Sequence, residues 1–134
     1  MNTKRESKQI GWANIGLWAL QIFLALAFLA AGSAKLSGQP MMVAVFDKVG
    51  VGQWFRYLTG GIEVISAVLL LIPRTTAFAA FTLAVTMTGA VLAHLLVLGG
   101  SPVAPAVLLV LALVIAWGRK TRRTKVLAGE LQQA

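Results

Sequence analysis

Residues 58–72 read LTGGIEVISAVLLLI, an apolar stretch with a single carboxylate, Glu63, in its interior. The stretch has the length and continuity of a buried helix, and it is followed by Pro73-Arg74, where a helix loses a hydrogen bond and stops. Three further stretches of this kind occur in the chain. Four apolar segments of this length in 134 residues make the chain an integral membrane protein. They also place an ionisable group at bilayer depth, where a charge is costly, faces the bundle interior and finds a partner.

Composition agrees. The chain is 58% hydrophobic and 12% charged, with a mean hydropathy of +0.82. A soluble domain carries roughly 25% charged residues, so too little polarity is present to coat a globule. There is no cysteine, which excludes disulfides, thiolate metal sites and thiol redox chemistry on this chain. The net charge is +8, from twelve Lys and Arg against four Asp and Glu. These cations gather outside the apolar stretches, at Lys4–Lys8 and Arg119–Lys125. The pattern points to membrane topology and anionic lipid headgroups, and not to nucleic acid.

The spans are expected at about 13–34, 54–72, 77–98 and 102–117, with a basic cytoplasmic tail over 118–134 and one domain over 1–134. Gly99-Gly100 ends the third, and Ser101-Pro102 opens the fourth as N-cap and first-turn proline. The fold class is therefore all-α: a membrane four-helix bundle. The first span has a basic start and a small-residue end, as a signal peptide does. Its apolar region exceeds the usual length of about 7–15 residues, so it is read as retained. Lys and Arg at both ends place the amino and carboxyl termini in the cytoplasm. Trp12, Trp54 and Trp117 fall at span ends, where aromatic belts form. The one long connection, Leu36–Phe55, mixes Met41, Met42, Val43, Val45 and Phe46 with Asp47-Lys48. It reads as an interfacial amphipathic segment, either a tether or a lid.

At about 100° per residue the polar side chains fall on stripes. Asn14, Gln21, Ala25, Phe28, Gly32 and Lys35 share one stripe of the first span. Thr59, Gly60, Glu63, Ser66 and Ala67 share one on the second, with Ile65, Val68, Leu69 and Ile72 opposite as a lipid face. Thr76, Leu83, Met87, Ala90 and His94 align on the third. Alternating span directions bring Lys35, Glu63 and His94 to one level in the outer half. Simpler readings stand beside this one: a snorkelling Lys35, a structural Lys35–Glu63 pair, a neutral core His94, and Gln21 as interhelical glue. The candidate ligand-binding residues are Lys35, Glu63, His94, Gln21 and Thr59. The trio suits hydrogen bonding or proton exchange with a quinone, or with the polar head of another lipophile. It lacks the ligand number of a metal site, and no catalytic triad or phosphate loop is present.

Gly32-Ser33-Ala34-Lys35-Leu36, Gly60-Gly61-Ile62-Glu63, the run Leu69–Arg74 and Ala90-Val91-Leu92-Ala93-His94-Leu95 together resemble the DoxX-like family of small four-helix membrane proteins. The resemblance covers roughly Ala13 to Trp117. It implies a bundle in the cytoplasmic (inner) membrane, with Lys35, Glu63 and His94 at matching positions. Such relatives are linked to thiosulfate–quinone oxidoreduction, to an oxidoreductase complex handling thiol stress, and to membrane-protein assembly. The expectation is an accessory subunit that holds a quinone or lipid for a partner oxidoreductase and is not itself a stand-alone enzyme. Expected associations are the bilayer, a lipophilic ligand, a membrane or peripheral protein partner and a second copy of the chain, with no covalently bound cofactor. Alternatives are an assembly factor or structural interaction protein, and a proton-coupled transporter.

Overall fold

The computed structural model describes residues 2–134, with side chains from Gly11 onward. The basic cluster Lys4, Arg5 and Lys8 lies outside the described side chains. The chain is all-α, and no strand occurs among the described residues. Its helices are α1 (Asn2–Leu36), α2 (Pro40–Val49), α3 (Gln53–Leu70), α4 (Thr76–Ala93, continued by a π-helical turn His94–Leu98) and α5 (Val103–Gln133). Among the described residues, three segments are long and apolar enough to cross a membrane: Gly11–Leu36, Thr76–Leu98 and Val103–Gln133. Helix α3 is shorter and carries both Arg56 and Glu63, which lowers its hydropathy.

The packing follows the stripes. Helix α1 lies along α3, α4 lies along α5, and α3 joins the two pairs through α4. The buried core contains Leu24, Ala25, Phe28, Ala67, Leu70, Ala79, Ala80, Leu83, Met87 and Ile115. Outward faces carry Ile22, Phe23, Leu26, Ile65, Val68, Phe78, Phe81 and Val85. When the solvent is lipid, burying apolar surface between helices gains little, so close contact and interhelical hydrogen bonds must hold the bundle. The many alanines in the core provide the close contact. On α3 the predicted lipid face holds at Ile65 and Val68, which are exposed, as is Ile72 just beyond the helix, whereas Leu69 packs against the core.

Several ends differ from the sequence reading. Helix α5 does not stop at Trp117 but continues to Gln133. Gly118 stays helical, with Leu17 of α1 3.0 Å from where its Cβ would stand, and the Lys and Arg residues that follow are good helix formers. Pro102 occupies the N-cap of α5, and Ser101 Oγ accepts from the Val103 N–H at 3.3 Å. The long connection contains a true helix, α2. Pro40 starts it, and Gly50 ends it in the left-handed region (φ 80°), its N–H donating to the Phe46 carbonyl. Buried Phe46 meets Phe55 edge-on at 6.0 Å, so the amphipathic segment is anchored by its apolar face.

Candidate functional site

The contact between α1 and α3 is set by two glycines. A Cβ on Gly32 would stand 2.8 Å from the Gly60 carbonyl oxygen, and one on Gly60 would stand 3.1 Å from that of Gly32. The two backbones therefore touch. Because the helices run antiparallel, this crossing sets Lys35 beside Gly60 and Glu63 beside Gly32. The lysine stem spans one turn to the carboxylate. Lys35 Nζ donates to Glu63 Oε2 at 2.8 Å and to Oε1 at 3.1 Å. The two form a salt bridge. The Glu63 side chain is 1% exposed and that of Lys35 15%. An ammonium has three donors, so Lys35 retains one N–H beyond those that Glu63 accepts.

A second cation sits one turn above. Arg56 is buried and donates through Nη1 to the Lys35 carbonyl, one of the last acceptors of α1. The Lys35 carbonyl also accepts from the Gly38 N–H at 3.3 Å, and a cation at a helix C-terminus complements the dipole. Arg56 Nε donates to Gln53 Oε1 at 2.6 Å, and Gln53 Nε2 donates to Asp47 Oδ1 at 2.6 Å and to the Val43 carbonyl at 3.0 Å. The Arg56 guanidinium also lies over the Tyr57 ring at 4.2 Å. An unbroken polar chain thus runs from α2 through α3 to the end of α1. On the other side of α2, Lys48 Nζ donates to the Leu98 carbonyl at 2.8 Å, fastening α2 to the π-helical turn.

The other predicted residues stand apart from the pair. His94 Nδ1 donates to the Ala90 carbonyl at 2.9 Å, one turn back on its own helix. No hydrogen bond joins it to Lys35 or Glu63 among the described residues. Thr59 likewise bonds its own helix, at the Phe55 and Arg56 carbonyls. Gln21 lies fourteen residues before Lys35, roughly 20 Å away along α1, and belongs to a second cluster. There Gln21 Nε2 donates to the Leu70 carbonyl at 2.8 Å, which Thr76 also reaches at 3.1 Å. Gln21 Oε1 accepts from Arg119 Nε at 2.5 Å, and Asn14 Oδ1 accepts from Arg119 Nη1 at 2.8 Å. Side chains from α1, α4 and α5 converge on the C-terminal end of α3.

Arg56, Gln53 and Arg119 are hydrogen-bonding partners that sequence reasoning does not single out. Arg56 and Arg119 carry only the signal of a charge next to an apolar segment, which topology alone explains. No group of His, Cys, Asp and Glu that could hold a metal occurs among the described residues.

No curated protein and no solved structure matches the chain. The family model of the DoxX-like family matches residues 19–118. That range takes in Gln21, Lys35, Arg56, Glu63 and His94, and on this match the chain, a membrane protein, belongs to the DoxX-like family.

Proposed function

We propose that this chain is an accessory subunit of the cytoplasmic membrane that holds a lipophilic molecule, a quinone or lipid, beside Lys35 and Glu63 for a partner oxidoreductase. Helix α3 is the fourth crossing. Its charges are tolerable at depth because Glu63 is neutralised by Lys35, and Arg56 is hydrogen-bonded to α1 and Gln53 near the outer end. The termini then share the cytoplasmic side, and α2 lies across the outer end.

One observation supports the ligand reading above the others. A cation set inside the bundle keeps an uncommitted donor, and the helix crossing over it is held by one buried aromatic, Phe46, and by side-chain bonds from Lys48 and Gln53. A carbonyl or headgroup oxygen entering beside α2 would meet that donor. Purification in a mild detergent, solvent extraction and mass spectrometry test it. A lipophile should accompany the native chain in stoichiometric amount and be lost from Lys35→Met. An empty native protein, or equal yield from the variant, would sink the reading.

A second reading has its own support. The touching backbones at Gly32 and Gly60 make the ion pair look like a lock between α1 and α3. In that case the chain is an assembly factor or structural interaction protein whose outer faces dock a client. A client complex that survives Glu63→Gln would favour it.

A further inference from the structure

Helices α1 and α5 touch over only part of their length, and beside that contact an open groove of about 630 Å³ runs between them. Its walls are apolar, formed by Gly16 of α1 and by Val114 and Trp117 of α5. Its other end is lined by Thr121, Arg122 and Lys125. From Val114 to Lys125 is eleven residues, roughly 16 Å of helix. The groove therefore passes from hydrocarbon-like to cationic along the bundle axis. It faces away from Arg119, which points to Gln21 and Asn14, and it is remote from Lys35.

We infer that this groove is a binding site for one anionic phospholipid. An acyl chain lies against Gly16, Val114 and Trp117, and the phosphate meets the cationic end at Arg122 and Lys125, the Thr121 hydroxyl donating to the Trp117 carbonyl at 2.9 Å. The argument is one of matched polarity. A lipid in the leaflet at this end carries its apolar and charged parts in the same order and over a comparable length. Basic side chains at a membrane surface favour anionic headgroups by about fivefold each. Exposed Trp117 lies at the boundary, where an indole ring prefers the headgroup level. The size lies within the range of ordinary small-molecule sites. This site is separate from the ligand position proposed above and does not rest on it.

Gly16 offers a clean probe. A Cβ there would meet nothing within 4 Å, so a larger side chain enters the groove without pushing on the bundle. Gly89 on α4 is equally open and serves as the control. The full chain is offered phosphatidylglycerol and phosphatidylcholine at equal concentration in detergent, and retained lipid is counted by native mass spectrometry. The native chain should keep one phosphatidylglycerol, on the order of tenfold in preference to phosphatidylcholine. Gly16→Phe should lose the adduct while Gly89→Phe keeps it. The double substitution Arg122→Gln/Lys125→Gln should keep a lipid and lose the preference. Glu63→Gln should change none of this, which separates the groove from the Lys35 site. Equal uptake of the two lipids by the native chain, or full retention by Gly16→Phe, would overturn the inference.

Discussion

Removing either member of the Lys35–Glu63 pair should destabilise the bundle, and the two removals should differ. At an effective dielectric of about 20, opposite charges 3–4 Å apart attract by about 4–6 kcal/mol. Desolvation of both ions offsets most of that, so the pair as a whole contributes little. The asymmetry comes from burial. Glu63 is 1% exposed, so Lys35→Met leaves a carboxylate with no counter-ion and no route to water, at a cost of about 3–5 kcal/mol. Lys35 is 15% exposed and is the last residue but one of its helix. After Glu63→Leu its four-carbon stem can carry the ammonium to the interface, and the loss should be about 1–3 kcal/mol. The double variant should lie within about 2 kcal/mol of the native chain, giving a coupling of at least about 2 kcal/mol. Titration with sodium dodecyl sulfate from mixed micelles, followed by circular dichroism and tryptophan fluorescence, measures all four corners of the cycle. The reasoning fails if Glu63→Leu is the costlier single change, or if the two losses simply add.

Other outcomes follow from the same geometry. Gly32→Ala should cost about 1–3 kcal/mol, because its methyl would stand 2.7 Å from Val64 Cγ2 and 2.8 Å from the Gly60 carbonyl. In the same unfolding assay Gly89→Ala should be neutral or stabilising by up to about 1 kcal/mol. Arg119→Gln withdraws donors from Gln21 and Asn14 and should lower stability by about 1–3 kcal/mol. Pairing Arg119→Gln with Gln21→Leu should then cost less than the sum of the two. Lys48→Ala together with Asp47→Ala removes two of the bonds that fasten α2 and leaves the Gln53–Arg56 bond in place. Faster amide exchange confined to 40–49, with an unchanged unfolding midpoint for the bundle, is the expected result.

The faces of the helices were legible because period and polarity coincide there. Gln21, Gly32 and Glu63 fall on stripes that the structure buries, and the antiparallel alternation of spans was enough to set Lys35 opposite Glu63. Helix-wheel arithmetic gives direction and depth but not reach. It put His94 on one stripe with Thr76, Leu83 and Met87, yet the imidazole finds its acceptor at Ala90 one turn back. It also grouped Gln21 with Lys35, since a shared stripe says nothing of the distance along it. Long side chains escaped most completely. Arg119 reads as the first residue of a basic tail, whereas its guanidinium turns back to satisfy Gln21 and Asn14. Arg56 reads as a charge at the start of the second span and instead reaches the Lys35 carbonyl at the end of α1. The bounds of α2 were available from Pro40 and Gly50, the usual start and stop signals, but the apolar mixture around them drew attention to amphipathicity first.

The most direct test is the distance between the lysine nitrogen and the glutamate carboxyl in a bilayer. Solid-state NMR on the full chain, labelled with ¹⁵Nζ-lysine and ¹³Cδ-glutamate and reconstituted in lipid, reads it through their dipolar coupling. A strong coupling is expected, consistent with Lys35 Nζ at 2.8 Å from Glu63 Oε2, and it should vanish in Lys35→Met. Absence of coupling in the native chain, or a coupling that persists in that variant, would contradict a bundle locked at depth by this pair.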